Sequence, residues 1–198
     1  MAWLGAQPPK SVVYVSFGSI ALMSREEMIE LWHGLINSRH RFLWVVRQDH
    51  HFVPEELGES STMWCMVRWA PQEEVLAHPS VGCFLTHSGW NSTMESIAAG
   101  VPMICWPFMT DQQINSRFVS EVWKVGLDMK DEGGRSVIEK MVRDVMEGEK
   151  EKAEEVRRSV GEMAAEARAS VEEEGGSSYL NFQHLIQHIK SLSSKKSI

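Results

Sequence analysis

The sequence predicts an α/β domain built on a mostly parallel sheet flanked by helices. Three observations lead there. Short apolar runs alternate with longer segments of helical spacing along nearly the whole chain. The first run, Ser11 to Phe17, is apolar on both alternating faces, as a strand covered on two sides requires. Polar or glycine-containing turns separate most runs from the helix that follows. Units of this kind join through right-handed crossovers, and their ligands sit at the carboxyl ends of the strands.

The run from Ser11 to Phe17, SVVYVSF, is the first strand, broken by Gly18 and Ser19. Ser24 followed by Glu27 forms a capping box, and Met28, Ile29, Leu31, Trp32, Leu35 and Ile36 then recur at helical spacing. Phe42 to Val46 and Met63 to Val67 read as the second and third strands, with a polar loop from Arg47 to Ser61 between them. His50 and His51 in that loop are neighbours that point apart on an extended chain. They have no third ligand at zinc spacing and are assigned no function.

A short helix from Glu73 to Ala77 follows Pro71. Two further strands, Val81 to Leu85 and Val101 to Cys105, each end in a polar turn that opens a helix. Thr110, with Gln113 three residues on, is expected to cap a helix running to about Val122. A short strand near Gly126 and Leu127 precedes the loop DEGGR. Ser136 with Glu139 then repeats the capping-box pattern before a helix faced by Val137, Ile138, Met141, Val142, Val145 and Met146. The charged segment 150–173 keeps a stripe of Val156, Val160, Met163, Ala164, Ala167 and Val171, the pattern of a surface helix. Gly175 and Gly176 end it, and a last helix covers 177–192. The expectation is one Rossmann-like domain over 1–198.

With 198 residues, 43% hydrophobic and 24% charged, the chain can bury one substantial core and is no solvated tail. A net charge of -7 argues against a nucleic-acid surface, so any bound phosphate must be held locally. Cys65, Cys83 and Cys105 fall in predicted strands without CxxC spacing, as buried free thiols in a reducing, cytoplasmic compartment would. The longest apolar stretch, Ile97 to Met109, is too short for a bilayer and is broken by Pro102 and Pro107, so no membrane association is expected.

The chemistry concentrates between Trp69 and Gln112. In the turn THSGWNS, Gly89 permits close backbone approach, and a helix starting near Asn91 offers unpaired N–H groups to an anion. His87 and Ser92 add donors, and Glu95 lies about one turn beyond Ser92, within reach of a ribose. At the next turn, Asp111 and Gln112 can together bind several sugar hydroxyls. Trp69 offers a flat face for a base, a contact typically worth about 1 to 3 kcal/mol. Structural alternatives stand beside each of these on the residues alone. Asn91 or Ser92 can be a helix cap, Glu95 a solvated residue, Asp111 a partner of the helix dipole, His87 a structural histidine and Trp69 a core tryptophan.

The pattern WAPQ, then HPSVGCFLTHSGWNSTMES, then GVP and DQQIN resembles the signature box of plant secondary-product glycosyltransferases, UDP-sugar enzymes of two-domain GT-B architecture. Trp69 to Gln112 has the length of that box. The resemblance extends to SVVYVSFGS near the start and GGSSYLNFQHLI near the end. It implies that Trp69 stacks on uracil, that the backbone of Ala70 pairs with its edge, and that Gln72 and Glu95 hold the ribose. It further implies that His87, Asn91, Ser92 and Ser19 hold the diphosphate, while Trp90, Asp111 and Gln112 surround the sugar. Gln112 resembles glucose users more than galactose users. Ser88 departs from the family's usual cysteine at a position read as flanking.

The resemblance also implies a donor-binding C-terminal half of a GT-B enzyme, with the acceptor domain and its general base absent. Transfer would be inverting and free of metal or other cofactor, with UDP-glucose as donor. A small plant metabolite would be the acceptor, through that other domain, and the protein is expected to be monomeric. The chain alone is expected to bind UDP-glucose without turnover. Two alternatives are the donor subunit of a split two-chain transferase and a non-catalytic nucleotide-sugar module. A nicotinamide dehydrogenase is disfavoured, since GSIALM rather than GxGxxG follows the first strand.

Overall fold

The computed structural model describes residues 1–18, 23–46, 61–130, 133–147, 151–173 and 175–194. Its centre is a six-stranded sheet comprising β1 (Val12–Ser16), β2 (Arg41–Val45), β3 (Trp64–Val67), β4 (Val81–Thr86), β5 (Met103–Cys105) and β6 (Gly126–Asp128). Every pairing is parallel, in the order β3-β2-β1-β4-β5-β6. Chain order reverses between β1 and β4. That point opens a crevice at the carboxyl ends of the two strands, where doubly wound sheets take their ligands.

The all-apolar strands divide their side chains between two cores. Val13, Val15, Phe42, Trp44, Cys83, Leu85 and Ile104 face α2 (Arg25–Ser38) and α6 (Arg135–Met146). Val12, Tyr14, Leu43, Phe84, Met103 and Cys105 face the opposite layer. That layer contains α1 (Ala2–Gly5), α3 (Gln72–Leu76), α4 (Trp90–Ala99) and α7 (Glu151–Val171). Tyr14 and Phe84, cross-strand neighbours in this second core, stack with centroids 4.9 Å apart. α8 (Ser177–Ser194) closes the chain, slightly longer than the expected helix.

The first capping box forms as expected: Glu27 N–H donates to Ser24 Oγ at 3.1 Å and Ser24 N–H to Glu27 Oε2 at 2.7 Å. The second does not. α6 starts at Arg135 with Gly134 as its N-cap and no side-chain cap, leaving Ser136 inside the helix. The reason is tertiary: Arg135 N–H donates to Glu30 Oε2 of α2 at 2.9 Å, and its guanidinium binds the same carboxylate. That pairing holds the Glu30 carboxyl down at about 2.

The helix expected from Thr110 also differs. Thr110 is left-handed (φ 54°), Asp111 takes the N-cap position, and α5 spans Gln112–Arg117 before a π-helical turn, Phe118–Val122. The predicted loop containing His50 and His51 lies outside the described residues, as does Ser19.

Candidate functional site

The turn after β4 sits at the switch point. Ser88 is fully buried and left-handed (φ 62°), and its N–H donates to Thr86 Oγ1 at 3.3 Å. The carbonyl of this residue, read from the sequence as flanking, accepts from Asn115 Nδ2 of α5 at 3.0 Å. His87 packs between the β1 turn and the start of α4. A Cβ on Gly18 would stand 2.7 Å from His87 Cε1, and one on Gly89 2.5 Å from Nε2. Glycine at both positions is what admits the ring, and Gly18 is itself left-handed (φ 68°). Burial lowers the His87 pKa, partly offset by the Asp111 carboxylate.

Gly89 is the N-cap of α4, and no side chain caps the helix. Asn91 and Ser92 lie in the first turn, so neither serves as the cap that the sequence left open. The first-turn N–H groups of this ten-residue helix, with their partial positive charge, therefore lie beside the imidazole. Gln72, the first residue of α3, donates through Nε2 to Ser92 Oγ at 2.9 Å and to Glu95 Oε2 at 2.8 Å. Three predicted residues from two helices thus share one network. Because Ser92 Oγ accepts there, its own hydroxyl hydrogen is left to donate elsewhere.

Trp69 is 75% exposed, which removes the core-tryptophan alternative. Ala70 beside it is half-buried against the second core. Trp90 is 50% exposed and leans on Trp123 at 6.5 Å between centroids.

At the turn after β5, Gln112 Oε1 accepts from the N–H groups of Phe108 (2.9 Å) and Met109 (3.1 Å). These bonds close the turn from within and explain why Thr110 does not cap: its hydroxyl donates to Asp111 Oδ1 at 2.9 Å instead. With its oxygen committed, buried Gln112 retains only its Nε2 hydrogens to offer. Asp111 Oδ2 accepts from Asn115 Nδ2 at 2.9 Å. The hydrogen bonds from Thr110 and Asn115 keep the Asp111 carboxyl below its usual range.

Asn115 was not singled out by sequence. Its signal is the i, i+4 spacing from Asp111, which places both on one helix face. Among the described residues, no three His, Cys, Asp or Glu side chains converge.

A parallel sheet of this order, with a polar cluster at the switch point, defines the doubly wound α/β class. Residues 2–160 match the model of the family described as "UDP-glucoronosyl and UDP-glucosyl transferase", and the chain belongs to that family. A myricetin 3-O-rhamnoside 1,2-glucosyltransferase of Crocosmia x crocosmiiflora is 64% identical over 197 residues, covering 98% of this chain and 41% of that protein. A 7-deoxyloganetic acid glucosyltransferase of Catharanthus roseus is 56% identical over 198 residues, covering 96% and 40%.

The crystal structure of a UDP-glucose: anthocyanidin 3-O-glucosyltransferase in complex with UDP superposes with a TM-score of 0.88. Identity there is 30%, over 96% of this chain and 43% of that one. The relatives are plant UDP-glucosyltransferases of GT-B architecture that act on small metabolites. This chain spans about two fifths of their length.

Proposed function

We propose that residues 1–198 form the UDP-sugar donor domain of an inverting, metal-independent glucosyltransferase acting on a small metabolite. The observation that carries this reading is the uncapped N-terminus of α4 with His87 packed beside it. An anion completes both: it accepts hydrogen bonds from the first-turn N–H groups and gives the half-buried imidazole a negative partner.

Around that anion the other residues fall into an order that follows a nucleotide sugar. The exposed face of Trp69 takes uracil and the Ala70 backbone its edge. Gln72 and Glu95 hold the ribose hydroxyls, already oriented by their mutual hydrogen bond. His87, Asn91 and Ser92, with Ser19, take the diphosphate. Trp90, Asp111 and Gln112 surround the glucose, Asp111 accepting and Gln112 donating hydrogen bonds.

In the transfer, an acceptor oxygen attacks the anomeric carbon from the face opposite UDP. The bond from that carbon to the diphosphate oxygen breaks, and the acceptor proton passes to a base outside these residues. Charge developing on the leaving diphosphate is stabilised by His87 and the α4 N-terminus, which are in place before reaction. Because the chain matches only about two fifths of its relatives, the acceptor site and base are assigned to a part of the enzyme beyond it.

Calorimetry on the 198-residue chain tests the reading. UDP and UDP-glucose should each bind at one site, with no glucose transfer to phenolic or terpenoid acceptors by the chain alone. Absence of UDP binding, or robust transfer, would contradict the proposal. Metal independence is tested in a transferase completed with an acceptor domain: a chelator should leave its rate unchanged, and loss restored by manganese would refute that part.

A further inference from the structure

We propose that Asn115 is a positioning residue that couples the turn after β4 to the carboxylate of Asp111. The inference rests on the reading of Asp111 as a sugar ligand. It begins from one amide nitrogen with two acceptors: Asn115 Nδ2 donates to Ser88 O at 3.0 Å and to Asp111 Oδ2 at 2.9 Å. An amide nitrogen carries two hydrogens, so both are used. Asn115 is buried, and its bond to Ser88 is fully enclosed, so water does not readily replace either partner.

The two acceptors belong to different parts of the site. Ser88 is the left-handed residue between His87 and Gly89, so holding its carbonyl fixes the path of the turn that carries the imidazole. Asp111 is exposed, and an unrestrained carboxylate there would rotate freely. Instead Thr110 holds Oδ1 and Asn115 holds Oδ2, locking the plane of the carboxylate. Each oxygen retains a lone pair for a sugar hydroxyl, now at a set angle. Asn115 never needs to touch the ligand for its loss to be felt by it.

A support of the fold would affect all ligands alike, whereas a positioning residue acting through Asp111 affects the sugar more. Calorimetry with UDP and UDP-glucose on wild type, Asn115→Ala, Asp111→Ala and the double variant separates the two, with thermal melting as the folding control. Asn115→Ala should raise the UDP-glucose Kd about tenfold and the UDP Kd by no more than about threefold. In the Asp111→Ala background the same substitution should raise the UDP-glucose Kd by no more than it raises the UDP Kd, about threefold, because only its hold on Ser88 remains. Asn115→Asp keeps the buried shape while exchanging the donor for an acceptor, and should show the same selective loss if the alanine variant fails to fold.

Equal losses for UDP and UDP-glucose, or penalties that multiply in the double variant, would overturn the inference and leave the donor site standing. If instead Asp111→Ala left UDP-glucose binding unchanged, the sugar role of Asp111 would fail and the inference with it.

Discussion

His87 is half-buried where its ligand would be an anion, and this makes its protonation a reporter of binding. Its pKa lies below the ordinary 6.5 because burial disfavours the cation more than Asp111 favours it. In the free protein, His87 therefore contributes full stability above pH 6.5, and that contribution is lost as pH falls through the lowered folded value. The unfolded chain takes up the proton first. A bound diphosphate reverses the balance by stabilising the imidazolium. UDP-glucose affinity should thus rise as pH falls from about 8 to about 6, with net proton uptake. Calorimetry in buffers of differing ionisation enthalpy measures that uptake, and His87→Gln should abolish it. The residue types at this site were legible because each has a distinctive chemistry. The hydrogen bonds that set their geometry were not: Gln72 bridging Ser92 and Glu95, or Asn115 bridging Ser88 and Asp111, depends on contacts between separate elements.

Elements were legible where local pattern and tertiary environment agree. Ser24 and Glu27 cap α2 as their spacing predicts, whereas Ser136 and Glu139 share that spacing and do not, because Glu30 reaches across from α2 to the first amide of α6. The π-helical turn after α5 was also hidden from helical spacing. There Trp123 N–H reaches back five residues to Phe118 O at 2.8 Å, and the two rings meet at 5.3 Å. The α2 and α6 pair offers a test of packing separate from the site. A Cβ on Gly34 would lie 2.6 Å from Ile138 Cβ and 2.9 Å from Arg135 O, too close without moving one helix. Gly34→Ala should therefore destabilise the fold by about 1 to 3 kcal/mol despite the better helix propensity of alanine. In a melting experiment that is a fall of about 3 to 8 °C. UDP affinity below the transition should stay within about twofold, since this contact has no partner in common with the site.

At the scale of the whole molecule, a parallel α/β sheet followed from the alternation of apolar runs and helical stripes, but strand order did not, because pairing is non-local. Only the observed order puts the turns after β1 and β4 side by side and makes Gly18 a neighbour of His87. The same whole-molecule view singles out α8. Among the described residues, neither core contains a side chain of this helix, and Leu180, Phe182, Leu185, Ile189 and Leu192 are 43 to 60% exposed. Residues that bury so little surface contribute little to folding, whatever their hydrophobicity. The sheet, the site and both cores lie before Gly176. A chain ending at Gly176 should therefore fold with a melting temperature within about 3 °C of the full chain, a change of no more than about 1 kcal/mol. It should also bind UDP with unchanged affinity. A large fall in melting temperature would mean that α8 supports the sheet through α7. Intact stability with weakened UDP binding would instead tie α8 to the site.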